Sequence, residues 1–120
     1  MVYPMAELAH VHSLKVVSEN DNGLAAKVDY LAIKKAAVVL RAINHKLRQQ
    51  ILHLIEENKK MTVTEIYIQL RLEQSVASQH LAIMRRAGIV KTTREGKFIW
   101  YSVNTERLDE ISRFVDELLG

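Results

Sequence analysis

No cysteine occurs in this chain, which rules out disulfides, thiolate metal ligands and thiol redox switching together. Proline appears once and glycine four times. Helices therefore meet few breakers, and no glycine-rich phosphate loop follows a strand pattern. No apolar run reaches the roughly 18 residues of a membrane-spanning helix. The opening residues also lack a basic segment followed by an apolar one. Neither spanning nor secretion is expected, and a cytoplasmic location is. With no thiol nucleophile, phosphate loop or ligand cluster, the chain is not expected to be an enzyme.

What is present suits one domain. The length of 120 residues is enough to bury a real core, and 48 % apolar with 26 % charged residues is ordinary for a soluble globular protein. The net charge of +3 is unevenly spread. Residues 31–60 carry seven basic and two acidic side chains, residues 85–104 five and one, and residues 105–120 two and five. Clustered cations suit phosphate contacts, but they equally suit a solvated face, so charge alone does not decide.

Along the chain, residues 1–23 read as a flexible arm or short helix closed by the turn-rich Ser18-Glu-Asn-Asp-Asn-Gly23. Residues 24–43 are helix-compatible throughout. Within them Ala36-Ala-Val-Val-Leu40 is apolar all round, so more than one side should be covered, the second plausibly by another copy of the chain. Asn44 suits an N-cap for a helix over 45–58 that turns Leu47, Ile51, Leu54 and Ile55 inward. A short helix over 63–70 should bury Ile66 and Leu70, and Arg71-Leu-Glu73 forms a turn with Leu72 plugging it. A helix over 74–87 follows, with Ala77, Leu81 and Met84 as its buried stripe and Gly88 closing it in the left-handed conformation. Two alternating strands, 89–93 and 98–103, flank Arg94-Glu-Gly-Lys97. Ile99, Tyr101 and Val103 share one face, Phe98 and Trp100 the other. A last helix over 106–119 sets Leu108, Ile111, Val115 and Leu118 on one side.

Helix, tight turn, helix and hairpin in that order make a helix-turn-helix with a β-wing. The predicted fold is mostly α, about five helices plus a two-stranded wing, with residues 24–120 as one DNA-binding and dimerisation domain. Gln74, Ser75, Ser78 and Gln79 lie on the first turns of the fourth helix, the end that enters a major groove. Gln79 could pair bidentately with adenine. His80 sits beside the buried stripe, and a packed histidine is as good a reading as a DNA contact. Arg85 and Arg86 end the helix, where cations also favour the helix dipole. Lys91, Thr93, Arg94 and Lys97 are the wing's candidates for backbone or minor-groove contact.

At Gln74-Ser-Val-Ala-Ser-Gln-His-Leu81 and Arg85-Arg-Ala-Gly-Ile-Val90 the chain resembles the arsenic-repressor family (ArsR/SmtB) of bacterial regulators. The resemblance covers about residues 28–119, and 65–103 is its specific part. It implies a homodimeric winged helix whose first and last helices form the interface, and which represses by occupying a double-stranded operator. On this chain that interface falls on Leu31, Val38, Val39, Leu108, Ile111, Val115 and Leu118. There are departures. Glu73 stands where the family often has a capping Ser, and Ala77 where it has a bulkier residue.

The family's best-known metal site uses a Cys-x-Cys pair where this chain has Thr62 and Thr64, and hydroxyls bind soft metals poorly. Its alternative site on the last helix needs histidine, and residues 105–120 offer only Asp109 and Asp116. His10-Val-His12 chelates only if extended, and a site needs three or four ligands. No metal or cofactor is expected. Met5, Met61 and Met84 with Tyr3, Tyr30, Tyr67 and Trp100 could line a small-molecule pocket, although core packing is the commoner use. The effector, small molecule or protein, is unassigned. The competing class is a winged helix that binds another protein and no DNA.

Overall fold

The structure is a computed structural model in which residues 28–120 are described. The expectations for the N-terminal arm, for residues 24–27 and for the His10/His12 pair lie outside the described residues. Two compact units are distinguished: Val39–Asp109, and a second that includes residues 28–38 and Glu110–Gly120.

Helix α1 spans Tyr30–Ile43. Asp29 starts it, its Oδ1 accepting from the Ala32 amide at 3.0 Å and its carbonyl from the Ile33 amide at 3.1 Å. Of the described residues expected in this helix, Val28 and Asp29 therefore precede it. A correction falls at the next junction. Asn44 does not cap α2 (Lys46–Asn58), because its amide still bonds the Leu40 carbonyl at 2.9 Å and so continues α1. His45 is the first extended residue (φ −156°, ψ 123°), and its Nδ1 accepts from the amides of Leu47 and Arg48 at 3.2 and 3.4 Å.

Strand β1 (Met61–Thr62) leads directly into α3 (Val63–Leu70). Thr62 and Glu65 form a reciprocal capping box, with Thr62 N–H donating to Glu65 Oε1 at 2.9 Å and Glu65 N–H to Thr62 Oγ1 at 3.3 Å. Arg71 closes α3 in the left-handed region (φ 56°) and opens the turn to α4, Gln74–Arg86. Glu73 caps α4 without a side-chain bond, as its chemistry predicts. At the other end Gly88 (φ 76°) supports two reverse bonds, Gly88 N–H to Arg85 O and Ile89 N–H to Met84 O, both 2.9 Å. That Schellman arrangement ends the helix and aims the chain into the wing.

The wing is longer and its turn tighter than expected. Strands β2 (Val90–Glu95) and β3 (Phe98–Val103) pair from Val90↔Val103 to Glu95↔Phe98. The turn proper is thus Gly96-Lys97, with Gly96 at φ 64° in the first central position, where a two-residue hairpin demands glycine. β1 adds to β3 through Met61↔Tyr101 and Thr62↔Trp100, giving a three-stranded sheet of order β1-β3-β2. Asn104 then starts α5 (Thr105–Leu119), its Oδ1 accepting from the Arg107 amide at 3.2 Å while its Nδ2 donates to Gly88 O at 2.9 Å.

The core lies in the Val39–Asp109 unit. Ile51, Ile55, Ile66, Leu81, Met84 and Ile89 are fully buried, with Ala42, Met61 and Val90 beside them. Each large side chain contributes about 1.5–3 kcal/mol by leaving water. Leu47, Leu54 and Leu70, expected inside, pack half-buried against this cluster. In the other unit no described residue is fully buried. No helix among the described residues is long and apolar enough to cross a membrane.

Candidate nucleic-acid interface

α4 keeps a sharp division between its faces. Ala77, Leu81 and Met84 are 0 % exposed, whereas Gln74, Ser75, Ser78, Gln79, Arg85 and Arg86 are all exposed. The packed stripe fixes the helix against the core, so the outer row of short polar groups is held at a defined orientation. Donors and acceptors of this kind read base edges in a major groove.

The sheet register divides the wing candidates. Antiparallel partners share a face, so Val90, Thr92 and Arg94 lie with Val103, Tyr101 and Ile99. Tyr101 and Val103 pack on the core, and Tyr101 lines a groove of about 370 Å³ with Ala82, Arg85 and Arg86 of α4. Arg94 therefore belongs to the sheet face that adjoins α4, and its Nε donates to Gly96 O at 3.2 Å. Lys91 and Thr93 share the opposite face with Phe98 and Trp100. Lys97 sits in the turn, its Nζ 5.6 Å from the Phe98 ring centroid. The acid of the wing, Glu95, is paired with Lys60 at 2.8 Å, and that ammonium also lies 4.8 Å from the Trp100 ring centroid.

His80 is half-buried and points into a junction with α2. Its Nδ1 lies 3.2 Å from Arg48 Nη1, and its ring centroid 4.8 Å from that of His45. Burial, then the neighbouring charges of His45 and Arg48, hold its pKa below the ordinary 6.5. Of its two ring nitrogens only Nε2 is left to meet a duplex.

Thr62 and Thr64 stand at the start of α3, where Thr62 serves as the helix cap. Among the described residues no three His, Asp or Glu side chains converge as a metal site. Of the aromatic and methionine side chains considered for a pocket, Tyr3 and Met5 lie outside the described residues. Met61 and Met84 are core, Tyr30 is 78 % exposed, and Trp100 lines a shallow groove with Thr62, Thr64 and Phe98.

Sequence reading missed Arg48, His45 and Tyr101 as parts of this region. Thr62-Val-Thr-Glu65 did carry the signature of a capping box. Nothing local marks Arg48.

A polar helix seated by a short turn and flanked by a hairpin defines a winged helix-turn-helix. The family model described as "Bacterial regulatory protein, arsR family" matches residues 45–92. The chain is 40 % identical over 85 residues to an uncharacterized HTH-type transcriptional regulator of Methanocaldococcus jannaschii, covering 71 % of this chain and 96 % of that one. It is 32 % identical over 92 residues to the transcriptional repressor PagR of Bacillus anthracis, covering 77 % and 92 %. The crystal structure of PagR superposes with a TM-score of 0.58, covering 72 % of this chain and 99 % of PagR. The transcriptional activator HlyU of Vibrio cholerae is 34 % identical over 84 residues, 70 % of this chain and 77 % of HlyU. This chain belongs to the ArsR family of DNA-binding transcription regulators. It is not an enzyme.

Proposed function

We propose that the chain acts in the cytoplasm as a homodimeric, sequence-specific repressor that occupies a twofold-symmetric operator. The observation that carries this reading is the rigid polar face of α4 beside the groove of Arg85, Arg86 and Tyr101, with Arg94 on the adjoining sheet face. Gln74, Ser75, Ser78 and Gln79 read bases, while Arg85, Arg86, Arg94 and Lys97 meet phosphates. Lys91 and Thr93, on the far sheet face, contribute less. The dimer is supported by apolar side chains left in water on the single chain. Leu31 is 60 %, Val38 51 % and Leu118 37 % exposed, while Val39, Ile111 and Val115 are half-buried. Leu108 packs on the core of the Val39–Asp109 unit and has less to give. The name of PagR supports repression; that of HlyU is an activator's.

Selection of bound fragments from a genomic library, followed by band shift under salt titration, tests the reading. The expected result is a palindromic site with half-sites about one helical turn apart and steeply salt-dependent affinity. A module built only for protein contacts would bind no duplex at any salt concentration.

A further inference from the structure

Arg48 is the one buried charged residue among those described, 8 % exposed, and it lies at the base of the DNA-reading helix. Its guanidinium serves three acceptors. Nε donates to Ala42 O at 2.6 Å, Nη2 to Arg41 O at 3.0 Å, and Nη1 to His80 Nδ1 at 3.2 Å. The two carbonyls belong to the last turn of α1, where helical partners run out and the negative end of the helix dipole falls. One side chain of α2 thus ties the end of α1 to α4.

The protonation states follow from the chemistry of the donors. A guanidinium only donates, so His80 Nδ1 presents a lone pair and the ring proton sits on Nε2. His45 Nδ1 accepts two backbone N–H groups, those of Leu47 and Arg48. A proton on His80 Nδ1 would remove Arg48's third acceptor and set a second cation against it. The groups acting on His80's charge are His45 and Arg48, both from the opening of α2. α1 presents the carbonyls of Arg41 and Ala42 to the junction. α3 and β2, which also pack on α4, supply none of the groups that act on that charge.

We propose that Arg48 is a positioning residue for α4, and that its bond to His80 is a proton-sensitive latch: the neutral His80 imidazole holds the DNA-reading helix in place, and acidification releases it and weakens duplex binding. The inference rests on the DNA-reading assignment above. Its sign is diagnostic. A histidine that gained a proton merely near phosphates would tighten binding, whereas the latch loosens it. The lowered pKa of His80 agrees with a site built for the neutral ring.

The test is fluorescence anisotropy with a labelled duplex, selected from a random pool with the purified protein at about pH 8. Affinity is then followed at fixed ionic strength down to about pH 5.5, across the range where histidines titrate. Only the neutral fraction is competent, so each pH unit below the titration point should weaken binding by up to about tenfold. His80→Gln, which keeps an acceptor but cannot titrate, should give a flat profile. Should that variant fail to fold, imidazole ¹⁵N spectra of the wild type serve instead. They should show His80 Nδ1 unprotonated at neutral pH, and the His80 ring taking up its proton at the same midpoint as the loss of affinity. A wild type that binds the duplex equally well or better in acid, or midpoints that do not coincide, would overturn the latch. Absence of binding at every pH would remove the DNA-reading assignment itself, and the latch with it.

Discussion

The Val39–Asp109 unit and the unit that includes residues 28–38 and Glu110–Gly120 treat their apolar side chains in opposite ways. In the first, six large side chains are fully buried and the polar residues of α4 face outward. In the second, no described residue is fully buried, and Tyr30, Leu31, Val38 and Leu119 are each more than half exposed. One unit has the interior of a finished domain. The other leaves apolar side chains in water among its described residues, as the proposed dimer interface requires. On the proposed dimer reading, the contrast separates what this molecule needs in order to fold from what it needs in order to act.

The strongest way to break the contrast is through the core. Ile51→Ala removes a side chain that is 0 % exposed and leaves a cavity, at a cost of about 3–4 kcal/mol measured by urea denaturation. A loss below about 1 kcal/mol would mean that the first unit does not hold the protein's stability. The matching change in the other unit is Val38→Glu. Val38 is 51 % exposed, so the single chain should still fold, while a carboxylate buried between two copies should weaken association by about 2 kcal/mol or more. Sedimentation equilibrium should show a dimer becoming monomer. An intact dimer would remove this face from the interface.

How much of this was legible in the sequence follows the same division. The buried stripe of α4 and its exposed partners could be read directly, because spacing fixes which residues share a helix face, and Ala77, Leu81 and Met84 all came out at 0 % exposure. The Gly88 closure was legible for a similar reason: only a few residues tolerate a φ of 76°. The cap of α2 was not. Asn outranks His as a cap, but α1 carries its hydrogen bonding one residue further than composition indicates, so the extended position falls on His45. β1 is two residues long, too short for any alternation to register. Arg48 was illegible in principle. A charged residue on an amphipathic helix reads as solvated, and its three partners lie 6, 7 and 32 residues away.

Smaller effects sharpen the reading of the DNA face. Gln79→Ala should cost about 1–3 kcal/mol on the selected site and much less on random duplex, because a base-reading group is lost while phosphate contacts remain. Equal losses on both would reassign Gln79 to the backbone. In the wing, Arg94 and Lys91 lie on opposite sheet faces and provide an internal control. Arg94→Ala should lower the slope of log K against log salt by about one unit, and Lys91→Ala by clearly less. Equal changes would show that the sheet face does not determine contact.

The smallest effect is on the pH dependence of folding, and its sign is fixed. His80 titrates lower in the folded chain than its ordinary 6.5, chiefly through burial, then through His45 and Arg48. As pH falls through that ordinary value, the unfolded chain takes up the proton first, and binding a proton preferentially to the unfolded state lowers stability. The contribution is therefore whole above about pH 6.5 and is lost as pH falls toward the folded-state value. Melting temperature should drop over that window in the wild type, and His80→Gln should remove part of the drop. If His80→Gln kept the same acid limb as the wild type, the acid sensitivity would belong to other groups and not to the junction beneath α4.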